Sequence, residues 1–450
     1  MNKLKFIIFS ILGFAFFLLP LDIMGTKKIA ISHIVGWITS HYMGAFMTTT
    51  LVMSLANILL TLVFVFYTSK KPFLNELFKV SWPNRLVRVG GSFLYMMVIF
   101  SWFDHTRVGS LLTDPNTGGV MAGQGGLLTT LYITFFFGLL VLPLLTQFGA
   151  VEFVGILLGK MTYKVFKVPG YAAVDALASF VGDGTIGIVV TDQQYQRGYY
   201  NRREAYIIAT SFSIVGVAFA SAVAEELGFA SIFPLFYGTI ALVTCILAFI
   251  TARLPLKKFK ASYYQEQEGK SVHRPDQIKL LTYALDQAAL QAQGVKLGDL
   301  AKDFLKAILN IYVGFLPLIM VVGTLALVMA EHTSLFTHLS LPLEGLYQVL
   351  GYSSSVARDM APATIVGLAD MYLPALFIGE TSSESARFMI GVLAFTQLVF
   401  MSETGMILIK SKIKLSLIDI LKVFLFRTLV SIPLVYGLIR VYVYMGIISF

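Results

Sequence analysis

Long apolar runs separated by short polar segments extend from the beginning of the chain to its end. A run of about 20 apolar residues is long enough to cross the hydrocarbon core of a bilayer as a helix. The pattern therefore predicts an all-α polytopic membrane protein with about nine transmembrane helices. We place these spans at 5–21, 45–67, 88–104, 127–147, 205–223, 231–252, 305–330, 386–409 and 420–446.

Composition excludes a soluble protein. Hydrophobic residues make up 57% of the 450 residues and charged residues only 13%, whereas soluble proteins carry about 25% charged residues. The N-terminus has a basic start and an apolar run without a small-residue cleavage site, so we expect an uncleaved first span. The single cysteine, Cys245, excludes an intrachain disulfide. Because Cys/His spacing typical of metal ligands is absent, we predict no metal site.

Basic residues orient the predicted spans. The net charge of +9 is explained by the accumulation of Lys and Arg in cytoplasmic loops, so it does not require a nucleic-acid partner. We expect a multi-pass protein of the bacterial cytoplasmic (inner) membrane, with a cytoplasmic N-terminus and the C-terminus outside. The cytoplasmic basic segments are then the N-terminus with Lys3 and Lys5 and the loops at 68–88, 148–170 and 253–304.

Two shorter apolar stretches, 171–191 and 361–379, are interrupted by glycine, proline and acidic residues. If either stretch crossed the bilayer, the basic loops that follow it would face outward, which the distribution of Lys and Arg disfavours. Each stretch can instead form two helical arms of about ten residues, roughly 15 Å long, that enter the bilayer and return. We therefore predict two re-entrant helical hairpins that enter from opposite faces. Inverted repeats with broken helices near the midplane are a known transporter design.

The order of these elements divides the chain into four predicted parts. N-terminal membrane helices occupy 1–126, and two repeats of opposite orientation occupy 127–252 and 305–450. A cytoplasmic linker, 253–304, joins the repeats. Within it, the stretch 275–294 has apolar residues at helical spacing between a proline start and a glycine end, which predicts an amphipathic helix packed on protein or on lipid headgroups.

The first predicted hairpin contains "GDGTIG", which matches the dinucleotide-binding fingerprint letter for letter. That fingerprint has meaning only between a strand and a helix of a soluble βαβ unit, and no such unit is predicted. Glycines also suit a hairpin tip, where the backbone turns with positive φ or approaches a ligand closely. The alternative is a helix kink with Asp183 facing protein. The candidate solute-binding residues of this tip are Gly182, Asp183, Gly184 and Thr185.

Further polar residues lie on the second hairpin and on two neighbouring spans. A carboxylate near the middle of the bilayer costs at least about 2.5 kcal/mol, so it needs a partner, a proton or a cation. Asp183, Asp370 and Glu403 are therefore candidates for ion coupling. The alternative is that these carboxylates pair with Arg or with helix-end amides or, for Glu403, that the residue lies at a shallow interfacial position. Hydroxyl and amide side chains in these segments are candidates for contact with a solute, the alternative being that each forms an interhelical hydrogen bond. The candidate solute contacts are Thr210, Ser211, Ser213, Ala361, Pro362, Ala363, Thr364, Thr396 and Gln397.

Four other charged residues are expected to reach water or lipid headgroups. Arg427 and Arg440 lie towards the two ends of the last predicted span, where long basic side chains can snorkel. Glu225 and Glu226 lie at the external end of a predicted span, and we expect both to be solvated.

Two segments of the chain resemble a known family. They are "ASFVGDGTIGIVVTDQQYQRGYYNRREAYIIATSFS" and "RDMAPATIVGLADMYLPA", which resemble YjiH-type membrane proteins carrying the nucleoside-recognition, or Gate, domain. The likeness covers roughly 130–445. Gate domains also occur in concentrative nucleoside transporters, in which two re-entrant hairpins of opposite orientation cradle the solute and a coupling ion. "APAT" at 361–364 is similar to the second tip of those transporters, whereas the first tip differs from their Gln, Thr and Glu.

The hairpins and the resemblance together predict a secondary active transporter that is driven by Na⁺ or H⁺. The solute would be a small polar organic molecule, such as a nucleoside, an amino acid or a small peptide, bound between the two hairpin tips. No ATP-binding or catalytic motif is present, so we predict neither an enzyme nor a cofactor other than the coupling ion. The alternative is a non-transporting Gate-domain subunit that acts in a complex or in signalling. The expected partners are the solute and the lipid bilayer. The sequence leaves open whether the protein forms a homo-oligomer.

Overall fold

The computed structural model describes all residues except 1, 24, 124–126, 171, 182–183, 214–215, 255, 257, 267–278, 334, 380–381 and 402–403. The described part of the chain is mainly helical, with one short antiparallel ribbon. The protein is therefore an all-α, multi-pass membrane protein, as predicted, whereas the number of about nine spans stays a prediction. Within the described ranges, four helical segments are long and apolar enough to cross a bilayer: Ala30–Phe66, Leu128–Thr146, Ala230–Thr251 and Leu297–Met329.

The first half of the chain contains both strands and fourteen of the helices that the structure describes. Several helices are shorter than a bilayer is thick, because turns and prolines divide the apolar runs. In order, the elements are α1 (Asn2–Leu18), β1 (Pro20–Ile23), β2 (Thr26–Ile29), α2 (Ala30–Phe66), α3 (Pro72–Phe78), α4 (Trp82–Ile99), α5 (Arg107–Thr113), α6 (Val120–Ala122), α7 (Leu127–Val141), α8 (Pro143–Thr146), α9 (Ala150–Phe166), α10 (Ala172–Val181), α11 (Gly184–Gln196), α12 (Arg202–Ser211), α13 (Val217–Glu226) and α14 (Phe233–Thr251).

The second half of the chain is helical wherever the structure assigns regular elements after α14, apart from single π-helical and 3₁₀ turns. In order, the helices are α15 (Leu280–Gly294), α16 (Leu297–Asn310), α17 (Leu316–His332), α18 (Leu335–Val349), α19 (Ser354–Val366), α20 (Leu373–Ile378), α21 (Glu384–Thr396), α22 (Thr404–Lys410) and α23 (Leu417–Tyr444).

The helices form two compact units, each built from separate parts of the chain. The larger unit contains both predicted hairpins and comprises Met1–Ala30, Val141–Lys296 and Leu343–Phe450. The smaller unit comprises Ile31–Leu140 and Leu297–Pro342.

The smaller unit packs around α4 and α17. A Cβ atom at Gly91 of α4 would lie 2.0 Å from the carbonyl oxygen of Pro317, so only glycine permits this approach of the two helices. Asn57 of α2 is buried and donates through Nδ2 to Ser92 Oγ at 2.9 Å and to the Val313 carbonyl at 3.1 Å. Val313 lies in a π-helical turn between α16 and α17, where backbone carbonyls lose their usual helical partners. Asn57 therefore supplies a hydrogen-bond donor that this turn needs.

In the larger unit, two predicted spans are not continuous helices. The span predicted at 205–223 is divided into α12 and α13, and the span predicted at 386–409 is divided into α21 and α22. Apolar content alone predicted single helices here, and that prediction was wrong. After α21, hydrogen bonds of the Thr404 side chain take the place of helical ones.

The helix predicted in the linker is α15, and it lies against protein. Residues 267–278, which include the predicted start of this helix, lie outside the described residues. The helix packs on α1 through an ion pair between Lys3 Nζ and Asp286 Oδ1 at 2.8 Å. It packs on the start of α9 at Gly149, where φ is +97° and a Cβ atom would lie 2.4 Å from a carbonyl oxygen of α15. Helices α1, α9 and α15 thus pack together within this unit.

Candidate functional site

The first hairpin is formed by α10 and α11, which pack closely against each other. A Cβ atom at Gly187 of α11 would lie 2.5 Å from the Cβ and Oγ atoms of Ser179 in α10, so glycine is needed for the two arms to approach. The same position is 3.5 Å from Ser213 Oγ. The first hairpin therefore rests on the segment that follows α12.

The second hairpin is formed by α19 and α20, which also pack against each other. Pro362 lies inside α19, where a proline removes one helical hydrogen bond. The hairpin is joined to the segment after α21 by two hydrogen bonds. Gln397 Nε2 donates to the Thr364 carbonyl at 2.9 Å, and the Met401 backbone N–H donates to the Leu368 carbonyl at 2.8 Å.

The helix that runs through α21 and α22 is interrupted between Thr396 and Thr404. Leu398 within the interruption has a φ of +68°, which is uncommon for a residue other than glycine and recurs at functional sites. The Thr404 hydroxyl stabilises the interruption, since it accepts from the Phe400 N–H at 3.0 Å and donates to the Leu398 carbonyl at 3.2 Å. A threonine side chain thus replaces the hydrogen bonds that a continuous helix would have made.

Arg427 of α23 joins the two interrupted helices. It is only 1% exposed, its Nε donates to the Thr396 carbonyl at 2.6 Å, and its Nη1 donates to the Thr210 carbonyl at 2.9 Å. These carbonyls lie at the C-terminal ends of α21 and α12, where helix dipoles concentrate negative charge and carbonyls lack helical donors. The expectation that Arg427 snorkels towards the membrane surface was therefore wrong. The guanidinium is buried because two helix ends, distant in sequence, need a common donor.

A group of buried polar side chains surrounds this arginine. Gln397 Nε2 also donates to Thr428 Oγ1 at 3.1 Å, and the hydroxyls of Tyr347 and Thr364 lie 2.6 Å apart. Gln397 Oε1 and Ser211 Oγ are buried acceptors that find no donor among the described residues. Buried acceptors without a donor are unfavourable, so these two oxygens are positions where a bound solute or ion would gain hydrogen bonds or coordination.

The acidic candidate on the second hairpin, Asp370, is buried and has a structural contact. Its Oδ1 accepts from the Tyr372 backbone N–H at 2.8 Å, which fixes the turn that precedes α20. The Tyr372 hydroxyl donates to Glu226 Oε2 at 3.1 Å, and Glu225 Oε1 pairs with Lys28 Nζ at 2.5 Å. Glu226 is exposed and Glu225 is half-buried, so both reach solvent as expected, but each also makes a polar contact with another part of the chain. Together they hold the end of α13 to the second hairpin and to strand β2.

The structure places the predicted solute contacts in these same elements. Thr210, Ser211 and Ser213 lie at the end of α12 and are buried, as are Thr396 and Gln397 at the end of α21. Gly182, Asp183 and Glu403 lie outside the described residues. Gly184 and Thr185 begin α11, and their side chains are not described; Ala361, Pro362, Ala363 and Thr364 lie in α19.

Three residues that organise this region were not predicted from the sequence: Arg427, Tyr347 and Thr428. A signal for Arg427 was present in the sequence, because a basic residue about ten positions into an apolar span is costly unless it finds partners. The tyrosine and the threonine carried no comparable signal, since both residue types are common in membrane helices as interhelical hydrogen-bond formers.

Two solved structures are similar to this chain over most of its length. The structure of CNTnw in an inward-facing, substrate-bound state is 12% identical, with a TM-score of 0.46, and covers 91% of this chain and 98% of that chain. The structure of a CNTnw variant in an outward-facing state is 13% identical, with a TM-score of 0.41, and covers 90% of this chain and 95% of that chain.

Sequence comparisons identify the family. The model of the Gate family, described as nucleoside recognition, matches residues 128–230. The uncharacterized protein BpOF4_10220 of Alkalihalophilus pseudofirmus is 37% identical over 450 residues, an alignment that covers 98% of this chain and 95% of the relative. As the resemblance of the first hairpin segment predicted, the chain carries a Gate (nucleoside recognition) domain at residues 128–230, and it belongs to the same family as this relative.

Proposed function

We propose that this protein is a secondary active transporter that moves a small polar organic solute, driven by an ion gradient. The solute binds between the two hairpins and the interrupted helices on which they rest. The residues proposed to contact it are Gly182, Asp183, Gly184, Thr185, Thr210, Ser211, Ser213, Ala361, Pro362, Ala363, Thr364, Thr396 and Gln397.

The observation that carries this proposal is the pair of interrupted helices held by Arg427, each with a helical hairpin packed beside its interruption. Irregular backbone at membrane depth is tolerated where it is buried in protein or lines a cavity. Discontinuous helices of this kind expose backbone groups to solutes and ions in many transporters. Gln397 Oε1 and Ser211 Oγ add acceptors that no described residue satisfies.

The contacts of Arg427 also bear on ion coupling. The C-terminal ends of discontinuous helices commonly coordinate Na⁺ through their carbonyls. Here the Thr210 and Thr396 carbonyls already bind a guanidinium, and its positive charge opposes a second cation beside it. We therefore propose that the coupling ion, Na⁺ or H⁺, binds at one of the acidic candidates Asp183, Asp370 and Glu403.

The direct test is uptake into vesicles that contain the purified protein. Nucleosides, amino acids and dipeptides are offered in turn under an imposed Na⁺ gradient, an imposed H⁺ gradient, or neither. We expect accumulation of one solute class that needs one of the two gradients. The absence of uptake under every gradient would contradict transport, and binding of none of these solutes in a thermal-shift screen would then favour the non-transporting subunit.

A matched pair of variants tests the ion-coupling residue. Asp183→Asn removes a carboxylate proposed to bind the coupling ion, so gradient-driven uptake should fall to the level of passive exchange. Asp286→Asn makes the same substitution on α15, where the partner of Asp286 is Lys3 of α1, so uptake should be unchanged. Normal coupled uptake by Asp183→Asn would remove that residue from the mechanism while leaving transport itself intact.

A further inference from the structure

A cavity of about 200 Å³ lies beside Arg427 and is lined by residues of α12, of α23 and of the end of α14. Tyr206, Thr251, Lys422 and Phe426 are among its lining residues, and none of those that line it belongs to either hairpin. Thr210, which is also a proposed solute contact, lines the cavity as well. The cavity therefore adjoins the proposed solute site at α12, although none of its described lining residues belongs to a hairpin.

Positive charge dominates this cavity. Lys422 and Arg427 both line it, whereas no acidic residue is among the described lining residues. Asp419, one turn before Lys422 on α23, is engaged elsewhere, since it pairs with Lys258 and accepts hydrogen bonds from Ser416 at 2.8 and 2.6 Å. In the described part of the chain, no ion pair neutralises Lys422.

Arg427 retains hydrogen-bonding capacity after it has joined the two helix ends. A guanidinium carries five N–H donors, and the Nε and Nη1 atoms donate to the two carbonyls. The Nη2 atom is buried and has no partner among the described residues. A buried, charged donor without an acceptor is strongly unfavourable, so an acceptor that carries negative charge would stabilise this arrangement.

We infer that this cavity is a binding site for an oxyanion, a phosphate or carboxylate group held between Arg427 and Lys422. The planar guanidinium suits the paired oxygens of such a group, and the lysine adds a mobile point charge. Tyr206 also lines the cavity, whereas the Thr251 hydroxyl already donates to the Leu247 carbonyl at 2.8 Å. The anion can be free in solution, or it can be the headgroup of an anionic lipid, because the same oxygens are offered in both cases.

The experiment measures binding and not transport, so its result is independent of the proposed function. The purified full-length protein is titrated with sodium phosphate, and its thermal unfolding is compared with that in sodium chloride of equal ionic strength. In a second arm, the protein is placed in phosphatidylcholine nanodiscs with or without phosphatidylglycerol, and retained phosphatidylglycerol is counted by native mass spectrometry. Lys422→Gln is tested in both arms beside Lys410→Gln, which neutralises a basic residue outside the cavity. Lys422 is exposed, so its substitution leaves the fold intact.

We expect stabilisation by phosphate beyond that by chloride, with an apparent Kd roughly tenfold weaker in Lys422→Gln and unchanged in Lys410→Gln. If phosphate does not stabilise the protein, but the wild type and Lys410→Gln retain phosphatidylglycerol and Lys422→Gln does not, the oxyanion is a lipid headgroup. The inference is overturned if neither anion binds, or if both lysine variants lose binding equally.

Discussion

Replacement of Arg427 by glutamine tests the central feature of the larger unit. The guanidinium donates to the carbonyls of Thr210 and Thr396 and is almost fully buried. Each buried carbonyl left without a donor costs roughly 1–3 kcal/mol, and a glutamine amide can reach at most one of the two. The buried cation also loses its own desolvation cost, which offsets part of this penalty. We therefore expect a net loss of about 2–4 kcal/mol in the free energy of unfolding.

The assay is thermal unfolding of the purified protein, followed by the loss of its monodisperse elution. A loss of this size should lower the apparent Tm by roughly 2–4 °C, because the entropy of unfolding grows with chain length. Arg440→Gln is the matched control, because Arg440 lies on the same helix, is exposed and contacts the rings of Tyr436 and Phe450. Such exposed cation–π contacts contribute about 0.5–1 kcal/mol, so the control should change the Tm only slightly.

A third variant separates charge from geometry. Arg427→Lys keeps the positive charge but replaces the planar fork with a single ammonium group, which cannot reproduce the two divergent hydrogen bonds. Its Tm should therefore lie between those of the wild type and Arg427→Gln. If Arg427→Gln and Arg440→Gln unfold at the same temperature, Arg427 does not hold the two helix ends together and the reasoning fails.

Two further stability predictions concern close packing and buried polar contacts. Gly187→Ala should destabilise the first hairpin by about 1–3 kcal/mol because its Cβ would overlap Ser179, and a second substitution, Ser179→Gly, should restore the stability. Gly437→Ala is the neutral control, because no atom lies within 4 Å of the added Cβ. Equal Tm values for the two alanine variants would contradict the close packing of the hairpin. Asn57→Leu should lower the free energy of unfolding by about 1–3 kcal/mol, because it leaves the Ser92 hydroxyl and the Val313 carbonyl without their donor. An unchanged Tm would contradict this role of Asn57.

The alternation of apolar and polar segments predicted the class of protein, because the bilayer imposes length and composition on each span. The same criterion failed at 205–223 and 386–409. Both stretches are apolar enough to be read as single spans, yet each is interrupted. Apolar content reports which environment surrounds a segment, whereas the path of its backbone depends on side chains such as Thr404 that compete for helical hydrogen bonds.

The two hairpins were easier to predict than their contacts. Glycine, proline and the distribution of basic residues marked the stretches 171–191 and 361–379. These overlap α10, α11, α19 and α20, although α19 begins seven residues before the predicted stretch and α11 ends five residues after it. Their packing partners were not predictable, because each contact joins residues far apart in sequence. Gln397 contacts a carbonyl 33 residues away, and the first hairpin meets the end of α12 through Gly187 and Ser213. No local pattern records such pairings.

Arg427 shows which physical question would have improved the sequence analysis. Once two interruptions are recognised, each leaves helix C-terminal carbonyls in a low-dielectric region, and these need donors that carry positive charge. Arg427 is a basic residue that lies well inside an apolar span, and its two acceptors are 31 and 217 residues away. Snorkelling explains an arginine near a span end only when no buried acceptor competes for it. Here two acceptors do, so the hydrogen bonds between the guanidinium and the two carbonyls offset both the cost of burying the cation and the cost of ending two helices in a buried region.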